Sequence, residues 1–234
     1  MSFIAGQPLQ GFQSFTQAIA QTVILEPIIS SMGFAMVLKA TECDKHLIYL
    51  LAKPLRKGGL LVIPLAVAAT VLADMAVTSA SGVAAAVGAI AIPILSAAGI
   101  HPAMAAAVIA GGTFGSCMNP GYSLNVVAAQ VAKTTPVAVV VNQSFSVFIS
   151  YVLISCGLLL TAFLLKEHKG YVPEAGRQLA GEDDFKVNLL KAIIPIVPLA
   201  ILFAGVEVPA LKKVGISHAM IIGAFCAFAV TGTS

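Results

Sequence analysis

Two short polar clusters sit inside long apolar stretches, and their side chains are of types that bind anions and alkali cations. The first is Thr78-Ser79-Ala80-Ser81-Gly82, at the centre of the apolar run from Gly58 to Gly99. The second runs from Ser116 through Asn119-Pro120-Gly121-Tyr122-Ser123 to Asn125, inside the charge-free stretch from Pro102 to Ala132. Hydroxyls and amides donate hydrogen bonds to carboxylate oxygens, and with freed backbone carbonyls they coordinate Na⁺. Helices that start at each cluster turn their positive ends toward a ligand there, which favours an anion. The candidate substrate-binding residues are therefore Thr78, Ser79, Ser81 and Gly82 in the first cluster, and Ser116, Asn119, Gly121, Ser123 and Asn125 in the second. The competing reading is that hydroxyls and small residues only glue helices together. Two breaks, each centred in its apolar segment, weigh against it.

Asp74 is the only acid between Asp44 and Glu167. An acid inside a membrane segment is a functional candidate by default, as a proton carrier or a cation ligand. Lying one helical turn before Thr78, it can face the same cavity, and it is the coupling-ion candidate. The bland alternative is a local partner for hydroxyls or backbone. His101 precedes Pro102 and reads as a helix cap. Cys43, Cys117, Cys156 and Cys226 have no CxxC or Cys/His spacing, so they read as buried thiols and no metal site is expected.

The elements that position these residues are membrane helices. Hydrophobic residues make up 59% of the chain and charged residues 10%. The mean hydropathy is +0.97. A soluble domain carries roughly 25% charged residues, so this chain lacks the means to cover a wetted surface. Stretches of about 20 apolar residues point to a polytopic, all-α membrane protein. The second cluster then breaks a helix near bilayer mid-depth. Unwound backbone is tolerated there only when protein buries it or it lines a watery cavity, as in the substrate sites of many secondary transporters. The formal net charge of +3 leaves no nucleic-acid footprint.

Along the chain, a first span runs from about Ile19 to Leu38. Lys39 to Gly59 is charge-rich, with Leu47, Ile48, Leu50, Leu51 and Leu55 at helical spacing, and reads as an amphipathic helix on the membrane surface. Gly58 to Gly99 is either a pair of spans or a re-entrant hairpin, and its uncharged polar tip favours the hairpin. A long span follows from Pro136 to Leu165, then a charged connector and another span from Val187 to Gly205. If Gly58–Gly99 returns the chain to its starting side, ten of the 13 Lys and Arg share one face. The positive-inside rule places that face in the cytoplasm. The chain stops in an apolar run at Ser234, which is the expected appearance of a fragment or of one half of a longer transporter.

From Gly33 to Leu165 the chain resembles the anaerobic C4-dicarboxylate carriers of the DcuC type, in the broader ion-transporter superfamily. The carrying residues are Ala52-Lys53-Pro54-Leu55, Ala76-Val77-Thr78-Ser79-Ala80-Ser81-Gly82, and Asn119-Pro120-Gly121-Tyr122-Ser123-Leu124-Asn125-Val126-Val127-Ala128-Ala129-Gln130. The order of parts (span, surface helix, hairpin, broken helix, long span) tells more than any one motif. The resemblance implies half of an inverted-repeat transporter. Its parts would be a scaffold span with surface helix (1–57), a transport unit of hairpin and discontinuous helix (58–135), a long span (136–165), a cytoplasmic connector (166–186) and a truncated second repeat (187–234). It implies exchange or efflux of succinate, fumarate or malate across a bacterial inner membrane by alternating access. No organic cofactor is expected, Na⁺ or H⁺ is left open as the coupling ion, and a homodimer fits the superfamily. Asp74 departs from the family pattern. Alternatives are a carrier for citrate, gluconate or a short fatty acid, and an intramembrane enzyme built on Ser79 or Ser81 with His101 and Asp74. The enzyme is disfavoured because about 20 residues of helix would hold His101 some 30 Å from the tip.

Overall fold

A computed structural model describes residues 22–53, 55, 61–77, 79–167, 171, 185–208, 211 and 213–232. Thr78 and most of the connector between 166 and 186 lie outside these. The described residues are helical, in turns or in irregular connections, with no strand. In chain order the helices are α1 Thr22–Ala40, α2 Cys43–Ala52, α3 Val62–Ala76, α4 Ala80–Ala97, α5 Pro102–Gly111, α6 Ser123–Val131, α7 Pro136–Leu164, α8 Leu189–Ile193, α9 Val197–Glu207 and α10 Ile216–Thr231. A 3-10 turn, Gly115–Met118, separates α5 from α6, and another, Ile194–Ile196, joins α8 to α9. α4 and α7 are long and apolar enough to cross a membrane. The all-helical expectation holds for the described residues.

Local chemistry sets the helix starts. Ser79 caps α4 by accepting the Gly82 N–H at 3.3 Å. His101 Nδ1 accepts the Ala103 N–H at 3.3 Å, and Pro102 opens α5 at a position where its missing N–H costs nothing. Thr135 and Pro136 start α7 in the same way, with Thr135 Oγ1 accepting from Ala138 at 3.2 Å. Inside α1, Pro27 removes a donor, and the hydroxyls of Ser30 and Ser31 donate to the Glu26 and Pro27 carbonyls at 2.8 and 2.7 Å.

The apolar interior divides into two cores. One gathers α2, α3, α4 and α5 around Ile63, Val67, Val83, Leu95 and Val108, with Ala162 of α7 closing it. The other joins α1 to α10 through Phe34, Leu38, Ala219, Met220 and Ala227, and takes in Val126 of α6 and Leu202 of α9. Val77, just past the end of α3, packs against both. Much of α7 faces outward, with Phe145, Phe148, Leu153 and Leu160 exposed. On a helix of 29 residues such a face is suited to contact with lipid.

The amphipathic helix expected after the first span is α2, which buries Cys43, His46, Leu47 and Ile48 and leaves Lys45 exposed. The chain after the connector docks on it. The Phe185 ring stacks on Tyr49 at 4.2 Å, and the Asn188 N–H donates to His46 Nδ1 at 3.2 Å. Burial, and then the charge of Lys191, hold the His46 imidazole below its ordinary pKa.

Candidate functional site

The broken helix is held open by its own polar residues. Asn119 precedes Pro120, which pushes it into extended backbone at φ −98°, ψ 120°. Its amide nitrogen donates to the Met75 carbonyl of α3 at 2.8 Å, and its amide oxygen accepts the Gly121 N–H at 2.8 Å. Asn125 Nδ2 donates to the Cys117 and Asn119 carbonyls at 2.7 and 2.8 Å. Gln143 of α7 donates to the same Cys117 carbonyl and to Asn125 Oδ1. These bonds take up carbonyls that the break would otherwise orphan at membrane depth, where each would cost several kcal/mol. Ser116, Asn119 and Asn125 are all buried.

Asp74 belongs to this clamp and not to the cavity wall. Its Oδ2 accepts the Ser116 backbone N–H at 2.8 Å. Beside it the 3-10 turn lies directly on α3. A Cβ on Gly115 would stand 2.0 Å from the Val71 carbonyl oxygen, so only glycine permits this approach.

A cavity of about 620 Å³ opens between the two cores. One wall is α1, with Ser31, Met32, Ala35, Met36 and Lys39; the facing wall is Val77, Ser79 and Gly82 at the hairpin tip, with Val83 and Ala86 of α4. Gly121, Tyr122 and Ser123 supply a third side, and Asp44 and Ile48 of α2 complete the rim. The N-termini of α4 and α6 therefore both open on the cavity. Gly121 sits so close to α1 that a Cβ there would meet Ser31 Oγ at 2.3 Å. Among the described residues of the lining, Lys39 is the one base and Asp44 the one acid. Burial pushes the Asp44 carboxyl above its ordinary range, opposed by the hydrogen bond from the Lys45 N–H.

Of the residues singled out from sequence, Ser79, Gly82, Gly121 and Ser123 meet around this cavity. Ser81 is exposed in the first turn of α4 and is not part of the lining. Asp74, Ser116, Asn119 and Asn125 form the clamp behind it. Thr78 lies outside the described residues. Ser31, Lys39, Asp44 and Tyr122 of the lining, and Gln143 of the clamp, carried no signal that the sequence reading used. Gln143 had one available, since it follows Asn142 within a long apolar span. His101 contacts Ala103, Glu167 and Tyr171, and among the described residues none of Ser79, Ser81 or Asp74 is its partner.

No family model matches the chain, and no solved structure matches it. A protein of Haemophilus influenzae named "Putative uncharacterized transporter" is 43% identical over 105 residues, 45% of this chain and 72% of the relative. The chain belongs to the family of that protein. The relationship supports a transporter in general, and α4 and α7, long and apolar enough to cross a membrane, are consistent with a helical membrane protein. It favours transport over intramembrane catalysis.

Proposed function

We propose that this transporter is a secondary carrier of C4-dicarboxylates such as succinate, fumarate and malate, spanning the bacterial inner membrane several times and working by alternating access. The observation that carries the reading is the cavity between the two cores, lined by residues at two helix N-termini, by Ser79 and Ser123, and by Lys39. Donors and positive helix ends suit a small carboxylated anion, and the apolar walls suit its methylene or vinyl carbons. The separate cores supply two bodies that can shift against each other, carrying the hairpin tip past α1. Here Gly58–Gly99 acts as a re-entrant hairpin, with Na⁺ or H⁺ as coupling ion and a homodimer as the working assembly.

Counterflow of labelled succinate in proteoliposomes tests the reading. Parent protein should exchange succinate, and unlabelled fumarate and malate should compete. Exchange with citrate or gluconate alone would move the assignment to that anion, because the same donors serve any carboxylate. A folded parent that exchanges no organic anion would sink it.

A further inference from the structure

Asp74 stands apart from every other polar side chain in the clamp. Its side chain is wholly buried, Oδ2 is engaged by the Ser116 N–H, the Ser116 hydroxyl also interacts with the carboxyl, and Oδ1 has no hydrogen-bond partner. The hydroxyl of Thr70, one turn before, is directed to the Ala66 carbonyl at 2.8 Å. The elements packed on α3 bring few titratable groups. The 3-10 turn carries Cys117, and α7 carries Tyr151, whose hydroxyl donates to the Pro64 carbonyl, and Cys156. α4 and α5 carry none, and the His101 cap lies at the end of α5 away from the 3-10 turn. The α2 groups Cys43, Asp44, Lys45, His46 and Tyr49 make no contact with the carboxyl, and no cation pairs with it among the described residues.

An unpaired carboxylate ion in such surroundings costs several kcal/mol, and a bound proton removes the charge. One free oxygen suffices for a proton, whereas a hard metal cation takes about six oxygens. Asp74 is also wired to the cavity from both sides. Along α3, Met75 receives the Asn119 amide and Val77 lines the cavity. Through the 3-10 turn, Ser116 leads to Asn119 and then to Gly121, which lines it as well.

We infer that Asp74 is the proton-carrying group of this transporter and that an anion in the cavity and a proton on Asp74 bind together, so that the two cross in the same direction. The inference rests on the anion-carrier reading above. A negative ligand beside Val77 and Gly121 raises the cost of a second negative charge at Asp74, and by linkage a proton on Asp74 tightens the anion by the same factor. The step is one proton taken from the water on the loading side, held as O–H on Oδ1, and released on the other. No other bond forms or breaks.

The test compares parent and Asp74→Asn in proteoliposomes, measuring labelled succinate counterflow without a gradient and accumulation under an imposed pH gradient. The ratio of gradient-driven accumulation to counterflow should fall at least about tenfold in the variant. In weakly buffered detergent solution, adding succinate should draw protons onto the parent and not onto Asp74→Asn, a reading that holds even if the variant transports nothing. An unchanged ratio, or equal proton uptake by both proteins, overturns the assignment. So does accumulation by the parent that follows a sodium gradient and ignores the pH gradient. A folded parent with no counterflow of any dicarboxylate sinks the carrier reading instead, and takes this one with it.

Discussion

The hairpin tip and the helix break are built from the same residue types and use them in opposite ways. At the break, Asn119 and Asn125 are buried and their amides are engaged with backbone groups. At the tip, Ser79 is half-buried with one long contact to Gly82, and Ser81 and Gly82 are exposed. Polar side chains at membrane depth thus divide into those that repair the chain and those left over for a ligand. Residue type does not tell them apart; hydrogen-bond accounting does.

The comparison can be broken most sharply at Gly115. Gly115→Val puts a side chain into the Val71 carbonyl, and separating α3 from the turn also strips the Ser116 bond to Asp74. The expected cost exceeds about 4 kcal/mol, seen as loss of the monodisperse peak in size-exclusion chromatography. Asn119→Ala comes next. It strands the Met75 carbonyl and the Gly121 N–H, for about 2–4 kcal/mol, so thermal stability and transport should fall together. A variant that kept the parental melting point while losing transport would move Asn119 to the ligand side of the division.

Ser123→Ala probes the other class. Ser123 lines the cavity, and its hydroxyl makes no hydrogen bond among the described residues. Stability should change by less than about 0.5 kcal/mol. The KM for the transported anion should rise about tenfold or more, the worth of one hydrogen bond to a charged group. An unaltered KM would place the anion elsewhere in the cavity.

The smallest effect concerns His46. Its pKa is lowered, so its contribution to docking the 185–188 segment is complete above the ordinary value of 6.5 and is lost as pH falls through the lowered one. Protonation also turns the acceptor for the Asn188 N–H into a donor beside Lys191. Between pH 7.5 and 5.5, amide exchange at 188–193, corrected for its intrinsic pH dependence, should speed up in the parent. It should hardly change in His46→Gln.

Much of the fold was legible because membrane helices announce themselves. Apolar length, Pro102 after His101, and Pro136 placed the starts of α5 and α7, and Asn119-Pro120-Gly121 marked the break. The roles of the polar residues were not legible, because they depend on partners far away in the chain. The Met75 carbonyl that takes the Asn119 amide lies 44 residues from it, and Gln143 reaches Cys117 across 26. Lys39 read as a surface charge at the end of a span, and only the placement of α1 across from the hairpin tip brings it to the cavity. Asp74 was legible as an unusual acid, but the sequence could not tell which side of the break it would face.

The length of α7 reaches beyond packing. Its 29 residues extend about 43 Å, against a hydrocarbon slab of about 30 Å. A rod longer than its slab leans or overhangs, and the angle follows membrane thickness. Near one end this rod grips the Cys117 carbonyl through Gln143. Reconstitution in lipids with shorter acyl chains is therefore expected to tilt this rod and draw on the broken helix, with the host membrane's thickness as a mechanical input to the site.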